Sequence, residues 1–236
     1  MFGEDEPVIT AGLLKYLKDL KANNNRPWFE ENRKRYERSR AEFVVLVDHL
    51  IAGIARFDRP IIEQEPEDCV FRIYRDARFA RDKTPYKIHF GAFITDRGRR
   101  VDRAGYYIHL QPGESLVAGG LYMPPSRELK AVRRAIEADG NALRRIISAK
   151  PFVKCFGKEL PGPKLKSSPR DYPKDHPQID LLRYTSFAVW HEFADAEVLR
   201  PDFLKRVTKM CEAVHGLVQF LNGALDKFLA RIPGKG

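Results

Sequence analysis

At 236 residues, with 43% hydrophobic and 31% charged positions, the chain fits a soluble globular protein of one large domain or two small ones. A formal net charge of +10 and a pI near 9.5 favour anionic partners, whether nucleic acid, phosphorylated metabolites or acidic surfaces, without choosing among them. Cys69, Cys155 and Cys211 match neither a disulfide framework nor a zinc-ligand spacing; the acidic start "MFGEDEPVIT" and the lack of an apolar run of about 18 residues leave no signal peptide or membrane span, so a cytoplasmic protein is expected.

Leu13, Leu14, Leu17 and Leu20 recur at helical spacing and predict a short amphipathic helix over about 10–21, with Thr10 as its N-cap. The turn "NNNRP" (Asn23 to Pro27) separates it from a longer helical stretch running from Trp28 through Phe43 and Leu50 to Ile54, which ends at Phe57 to Pro60. Within it, "FEENRKRYERSRAEF" interleaves acids and cations and reads as a solvated face with i,i+4 pairs. Trp28 and Phe29 are expected to pack this helix pair.

The period then changes. Val70 and Ile73, then Phe90, Ala92 and Ile94, then Tyr106, Ile108 and Leu110, then Leu116, Ala118 and Tyr122 predict β-strands in an antiparallel meander. "QPGES" (Gln111 to Ser115) supplies a hairpin turn, and "DRGRRVDRAG" (Asp96 to Gly105) a longer basic loop. The glycines of "VAGGLY" mark a bulge or a close backbone approach. Helical patterning returns after Pro124 to Ser126, through Leu129, Val132 and Ile136 and again through Leu143, Ile146 and Ile147. Six prolines between Pro151 and Pro177 argue against regular helix there. "YTSFAVWHEF" (184–193) predicts one more strand with Trp190 in the core, and a stripe from Phe203 to Phe228 predicts a C-terminal helix. The expected architecture is a single α+β domain spanning 1–236. It has a helical N-terminal part at about 10–58, a sheet core at about 69–122 with a later strand at 184–193, and a helix at about 201–230.

The chemistry concentrates in "VFRIYRDARFARDKTPYKIHFGAFI" (Val70 to Ile94). If Val70 to Arg75 is a strand, Arg72 and Tyr74 share one face and Phe71, Ile73 and Arg75 the other, so at least one guanidinium meets a covered surface and needs a partner. Asp76 and Asp82 are the nearest carboxylates. Arg72, Arg75, Arg78, Arg81, Lys83 and Lys87 outnumber those two acids by four, and a loop leaving a sheet edge can aim such a surplus at a phosphate or carboxylate. Tyr86, after Pro85, adds a hydroxyl and an aromatic face. A second candidate face is formed by Tyr107, His109 and Gln111, with Glu114 at the hairpin. His89, His109, His176 and His191 show no HxH or HExxH spacing, so no metal site is expected and the cofactor is left unknown. Asp175 beside His176 reads as a turn more than as an acid–base pair.

"FRIYRDARFARDKTPYKIHF", with "LKDLKANNNRPWFEENRKRYE" upstream and "YYIHLQPGESLVAGGLYMP" and "YPKDHPQIDLLRY" downstream, closely resembles the bacterial, fungal and plant family catalogued as domain of unknown function 2461. The resemblance spans nearly the whole chain and implies kinship without bringing an activity. The usual family run "RDTRFSKDKTPYK" has hydroxyls where this chain has Ala77 and Ala80, so any role of those hydroxyls is lost here. The charged skeleton is kept.

Three readings follow: a protein, enzyme or not, that binds a small phosphorylated or carboxylated ligand through the 72–87 loop; a nucleic-acid-binding module using the basic loops, the lysines from Lys150 to Lys174 and stacking by Tyr86, Tyr106 or Tyr107; and a structural or interaction protein whose charged motif is an internal brace. The first is the favoured expectation, with Arg72, Arg75, Asp76, Arg78, Asp82, Lys83, Tyr86, Lys87, Tyr107 and His109 as ligand-binding residues. The oligomeric state is left open.

Overall fold

The computed structural model describes residues 9–76, 78, 81–98 and 102–229. The readings of residues 1–8, Ala77, Ala80, Arg99, Arg100 and the Phe228 side chain lie outside what it describes. The chain divides into two compact units, the first formed by described residues within Met1–Arg99, Tyr107–Val117 and Glu192–Lys209, the second by those within Arg100–Tyr106, Ala118–His191 and Met210–Gly236.

In the first unit, α1 (Ala11–Ala22) buries Leu13, Leu14, Tyr16, Leu17 and Leu20 on the stripe the spacing predicts. Thr10 occupies the N-cap position but does not cap. Its N–H and hydroxyl both donate to the Glu42 carboxylate instead. The long helix expected after Pro27 is two helices, α2 (Arg26–Glu31) and α3 (Arg33–Ile54), divided at Asn32. There the Asn32 amide donates to the Trp28 carbonyl at 2.9 Å and its oxygen accepts from Arg35 at 3.0 Å, a local side-chain alternative to the helical ladder that periodicity does not register. Asn25 starts α2 by accepting from the Trp28 N–H at 3.0 Å. A 3₁₀ turn (Arg59–Glu63) and α4 (Pro66–Cys69) lead to the charged segment.

Strands β1 (Phe90–Ile94), β2 (Gly105–Leu110), β3 (Ser115–Leu121) and β4 (Phe187–Phe193) form one antiparallel meander in the order β1-β2-β3-β4. The predicted hairpin is present: Gly113 adopts φ 77, which needs no Cβ, and the Glu114 N–H donates to the Gln111 carbonyl at 2.9 Å. The glycine pair in β3 answers to close approach, since a Cβ on Gly120 would fall 2.2 Å from the Phe187 carbonyl oxygen.

The second unit carries α5 (Ser126–Ser148), interrupted at Asp139 where the backbone leaves helical geometry, α6 (Lys150–Phe156) and α7 (Ile179–Leu182). The proline-rich stretch therefore does contain a helix, because Pro151 sits in its first turn where no amide donor is needed. Trp190, expected in the core, is 39% exposed on the outward-facing phase of β4. After α8 (Asp195–Val198), α9 (Phe203–Leu229) buries Phe203, Val207, Cys211, Val214, Leu217, Val218, Leu221 and Leu225, while Leu204 and Met210 stay partly exposed. All three cysteines are free thiols. Among the described residues no helix is long and apolar enough to cross a membrane.

Candidate functional site

Val70 to Arg75 is not a regular strand. It pairs with residues 85–92 through single bridges, Val70 with Ala92 and Tyr74 with Tyr86, backed by backbone bonds from Phe71 to Gly91, Arg75 to Pro85 and Lys87 to Ile73. Between the two bridges one leg advances from 70 to 74 while the other advances from 86 to 92, so the return leg carries two extra residues around Ile88 and His89. Such a bulge bends its strand and re-aims the side chains beside it, here Lys87 and His89.

Long-range contacts hold the return leg at Tyr86. Its ring is buried and stacks on Phe29, with centroids 4.0 Å apart and planes 12° apart. Asn24 grips the same residue's backbone, its amide donating to the Tyr86 carbonyl at 2.9 Å and its oxygen accepting from the Tyr86 N–H at 3.1 Å. Tyr86 is thus an anchor in the core; its ring is not an open face for a ligand or a base. Tyr106 is likewise buried, its hydroxyl paired with His215 at 2.8 Å.

The loop's two acids are each engaged by an arginine. Asp76 accepts a two-pronged pair from Arg78, Nε at 2.9 Å and Nη2 at 2.8 Å, and that pair holds its carboxyl below the usual range. Asp82 accepts from the Thr84 N–H at 2.9 Å, from Arg75 Nη1 at 2.5 Å and from the Thr84 hydroxyl at 2.9 Å; these donors lower its pKa to about 2. Arg75 also contacts the Thr84 hydroxyl. Lys83 donates to the Arg78 carbonyl at 3.2 Å. Arg72 and Arg81 are exposed, and neither makes an ion pair with a described residue. The predicted residues therefore do not converge as one cluster: Arg75, Asp76, Arg78, Asp82 and Lys83 tie the loop to itself, while Lys87 leaves it.

Lys87 goes to the second candidate face. Its ammonium lies 5.2 Å from the Phe71 ring centroid, and Phe71 meets Tyr107 edge-on at 6.4 Å. Tyr107 hydrogen-bonds its hydroxyl to His109 Nδ1 at 3.0 Å, and the His109 ring lies 4.2 Å from that of His89. A Cβ on Gly91 would stand 2.9 Å from the Tyr107 hydroxyl, so glycine there is what lets that ring lie over β1. Burial, then the neighbouring His109 and the Lys87 charge, lowers the His89 pKa to about 4. Burial lowers that of His109 too, against the opposing pull of Gln111 and Glu114, and raises that of Tyr107 to about 12. At neutral pH this face thus presents a lysine cation, two uncharged imidazoles and a protonated phenol, with one donor of the Tyr107–His109 pair taken up by the bond between them.

The two later candidate histidines have partners of their own. His176 accepts from the Gln178 N–H at 3.1 Å within a turn, and His191 is paired with the Cys155 carbonyl at 3.2 Å. Among the described residues no three His, Cys, Asp or Glu side chains come together as metal ligands. Sequence reasoning missed the parts played by Asn24, Phe29 and Thr84, and took His89 only as a weak metal candidate. The "NNN" turn and the TPY tripeptide carried the signal, but their pairing spans 62 residues.

No curated protein and no solved structure is found to match the chain. A family model described as "Conserved hypothetical protein (DUF2461)" matches residues 12–220, which include the ribbon, its bulge and the Lys87–His89–Tyr107–His109 face. The chain belongs to the DUF2461 family of conserved hypothetical proteins.

Proposed function

We propose that this protein binds a small phosphorylated or carboxylated ligand on the face where Lys87 meets His89, Tyr107 and His109, with the 72–87 loop contributing the surrounding positive field. The observation that carries the reading is the placement of the Lys87 ammonium beside uncharged, half-buried donors at a bulged return leg. Uncharged imidazoles and a phenol can donate to an oxyanion without adding titrating charge, and the lysine supplies the attraction. Asp76 and Asp82 already offset Arg78 and Arg75, so those pairs shape the loop and Lys87 is the principal contact.

The test is calorimetric titration with sulfate. Removing a charge-assisted contact costs about 1.5–3 kcal/mol, so Lys87→Ala should weaken sulfate binding roughly 10- to 100-fold while leaving the melting temperature near that of the parent. Equal affinity in the two proteins refutes the reading. A second reading, an internal brace with no ligand, is favoured by the Arg75–Asp82–Thr84 and Arg78–Asp76 pairs. It predicts no sulfate binding at all and loss of folded protein on Arg75→Ala.

A further inference from the structure

A cavity of about 470 Å³ opens between α1 and α3, within the size range of about 300–1,000 Å³ typical of small-molecule sites. None of its lining residues belongs to the 70–114 segment. The acids on its wall are already occupied: Glu42 accepts from the Thr10 N–H and hydroxyl, and Asp19 accepts from Arg35 at 2.6 Å. The remaining charges, Lys15 and Arg38, are both exposed cations that form no ion pair with a described residue.

Tyr16 is one of the lining residues. It is 1% exposed, with its ring stacked on Trp28 at 6.1 Å and capped by the Arg35 guanidinium at 5.7 Å. Among the described residues its hydroxyl has no hydrogen-bond partner. Other buried tyrosines here do find one, Tyr184 with the Leu160 carbonyl at 3.0 Å and Tyr106 with His215. Burial and the neighbouring Tyr36 raise the Tyr16 pKa, so the phenol keeps its proton and remains a donor. Ser39, 5% exposed, adds a second hydroxyl to the lining.

We infer that this cavity is a second ligand site, for a small organic carboxylate or phosphate whose oxyanion is held by the Tyr16 hydroxyl and Arg38, with Lys15 at the entrance. A buried hydroxyl without a partner beside two exposed cations suits an anionic group, and of the lining acids Asp19 is neutralised by Arg35. The site is separate from the Lys87 face and does not depend on it.

The test is a titration of the full chain, labelled at tyrosine Cζ, with inorganic phosphate and in parallel with succinate, so that the two sources of oxyanion are distinguished. Tyr16 is one of nine tyrosines and is assigned by the signal lost in Tyr16→Phe. At least one probe should move the Tyr16 signal saturably. By thermal shift with the same probe in the Lys87→Ala background, where the other face does not contribute, Arg38→Ala and the near-isosteric Tyr16→Phe should each weaken binding about tenfold or more, as expected for loss of one charge-assisted hydrogen bond. Lys87→Ala alone should leave the saturable shift of the Tyr16 signal in place, since that signal reports this cavity and not the Lys87 face. The inference is overturned if neither probe moves the Tyr16 signal, if both cavity variants bind as tightly as their Lys87→Ala parent, or if Lys87→Ala abolishes the response.

Discussion

Asn24→Ala is the sharpest perturbation of the loop's foundation. The Asn24 side chain makes two hydrogen bonds to the backbone of Tyr86, a residue only 3% exposed, so water does not readily replace them. At about 0.5–1.5 kcal/mol each, the pair amounts to about 1–3 kcal/mol. For a chain of this size a loss of about 2 kcal/mol lowers the melting temperature by roughly 4–8 °C. Urea unfolding followed by circular dichroism should show a lower midpoint with an unchanged slope, because the buried surface is the same. Asn24→Asp keeps the acceptor for the Tyr86 N–H but loses the donor and turns a carboxylate toward the Tyr86 carbonyl, so it should recover little. Since Tyr86 precedes Lys87, sulfate affinity should fall in both variants. An unchanged midpoint in Asn24→Ala would refute the idea that this long-range grip holds the return leg.

Other expectations concern pH, space and alternative ligands. As pH falls from the usual histidine value of 6.5 toward about 4, the unfolded chain takes up a proton that folded His89 resists; stability therefore declines across that window, by at most about 3 kcal/mol, and His89→Gln should flatten the decline in urea midpoints measured from pH 7 to 4. For the same reason sulfate affinity should stay level from pH 8 to 6.5, and a steep rise within that range would show that the imidazoles charge there. Gly91→Ala places a methyl group 2.9 Å from the Tyr107 hydroxyl, and the overpacking should cost about 1–3 kcal/mol and displace Tyr107 from His109, read as a lowered melting temperature together with weaker sulfate binding. Because Tyr86 and Tyr106 are buried, single-stranded oligonucleotides should bind weakly if at all, with no aromatic quenching; tight, steeply salt-dependent binding would favour the nucleic-acid reading.

Much of the fold was legible because burial imposes a period. The stripes of α1 and α9, the meander and its Gly113 turn follow from apolar spacing and one positive φ. The departures arise where a single side chain outweighs the pattern: Asn32 divides the predicted helix by bonding its own backbone neighbours, and the bulge at Ile88 and His89 reduces an alternating segment to isolated bridges. Trp190 was misplaced because apolar character alone does not say which phase of a strand faces inward. For the site, the charges were visible but their partners were not. Arg75 passes over adjacent Asp76 to reach Asp82, Asp76 takes Arg78, and Lys87 goes to a face built from another strand. The stretch from Phe29 to Phe43 read as a solvated helix face, which concealed that Arg35, Arg38 and Ser39 line a cavity against α1.

The central claim is that Lys87 and the two histidines share one anion. A sulfate titration followed through the imidazole ¹⁵N signals of His89 and His109 tests it directly. Saturable shifts of both rings in the parent protein, lost in Lys87→Ala, are the predicted result; rings that stay unmoved, or that move equally without Lys87, would contradict it.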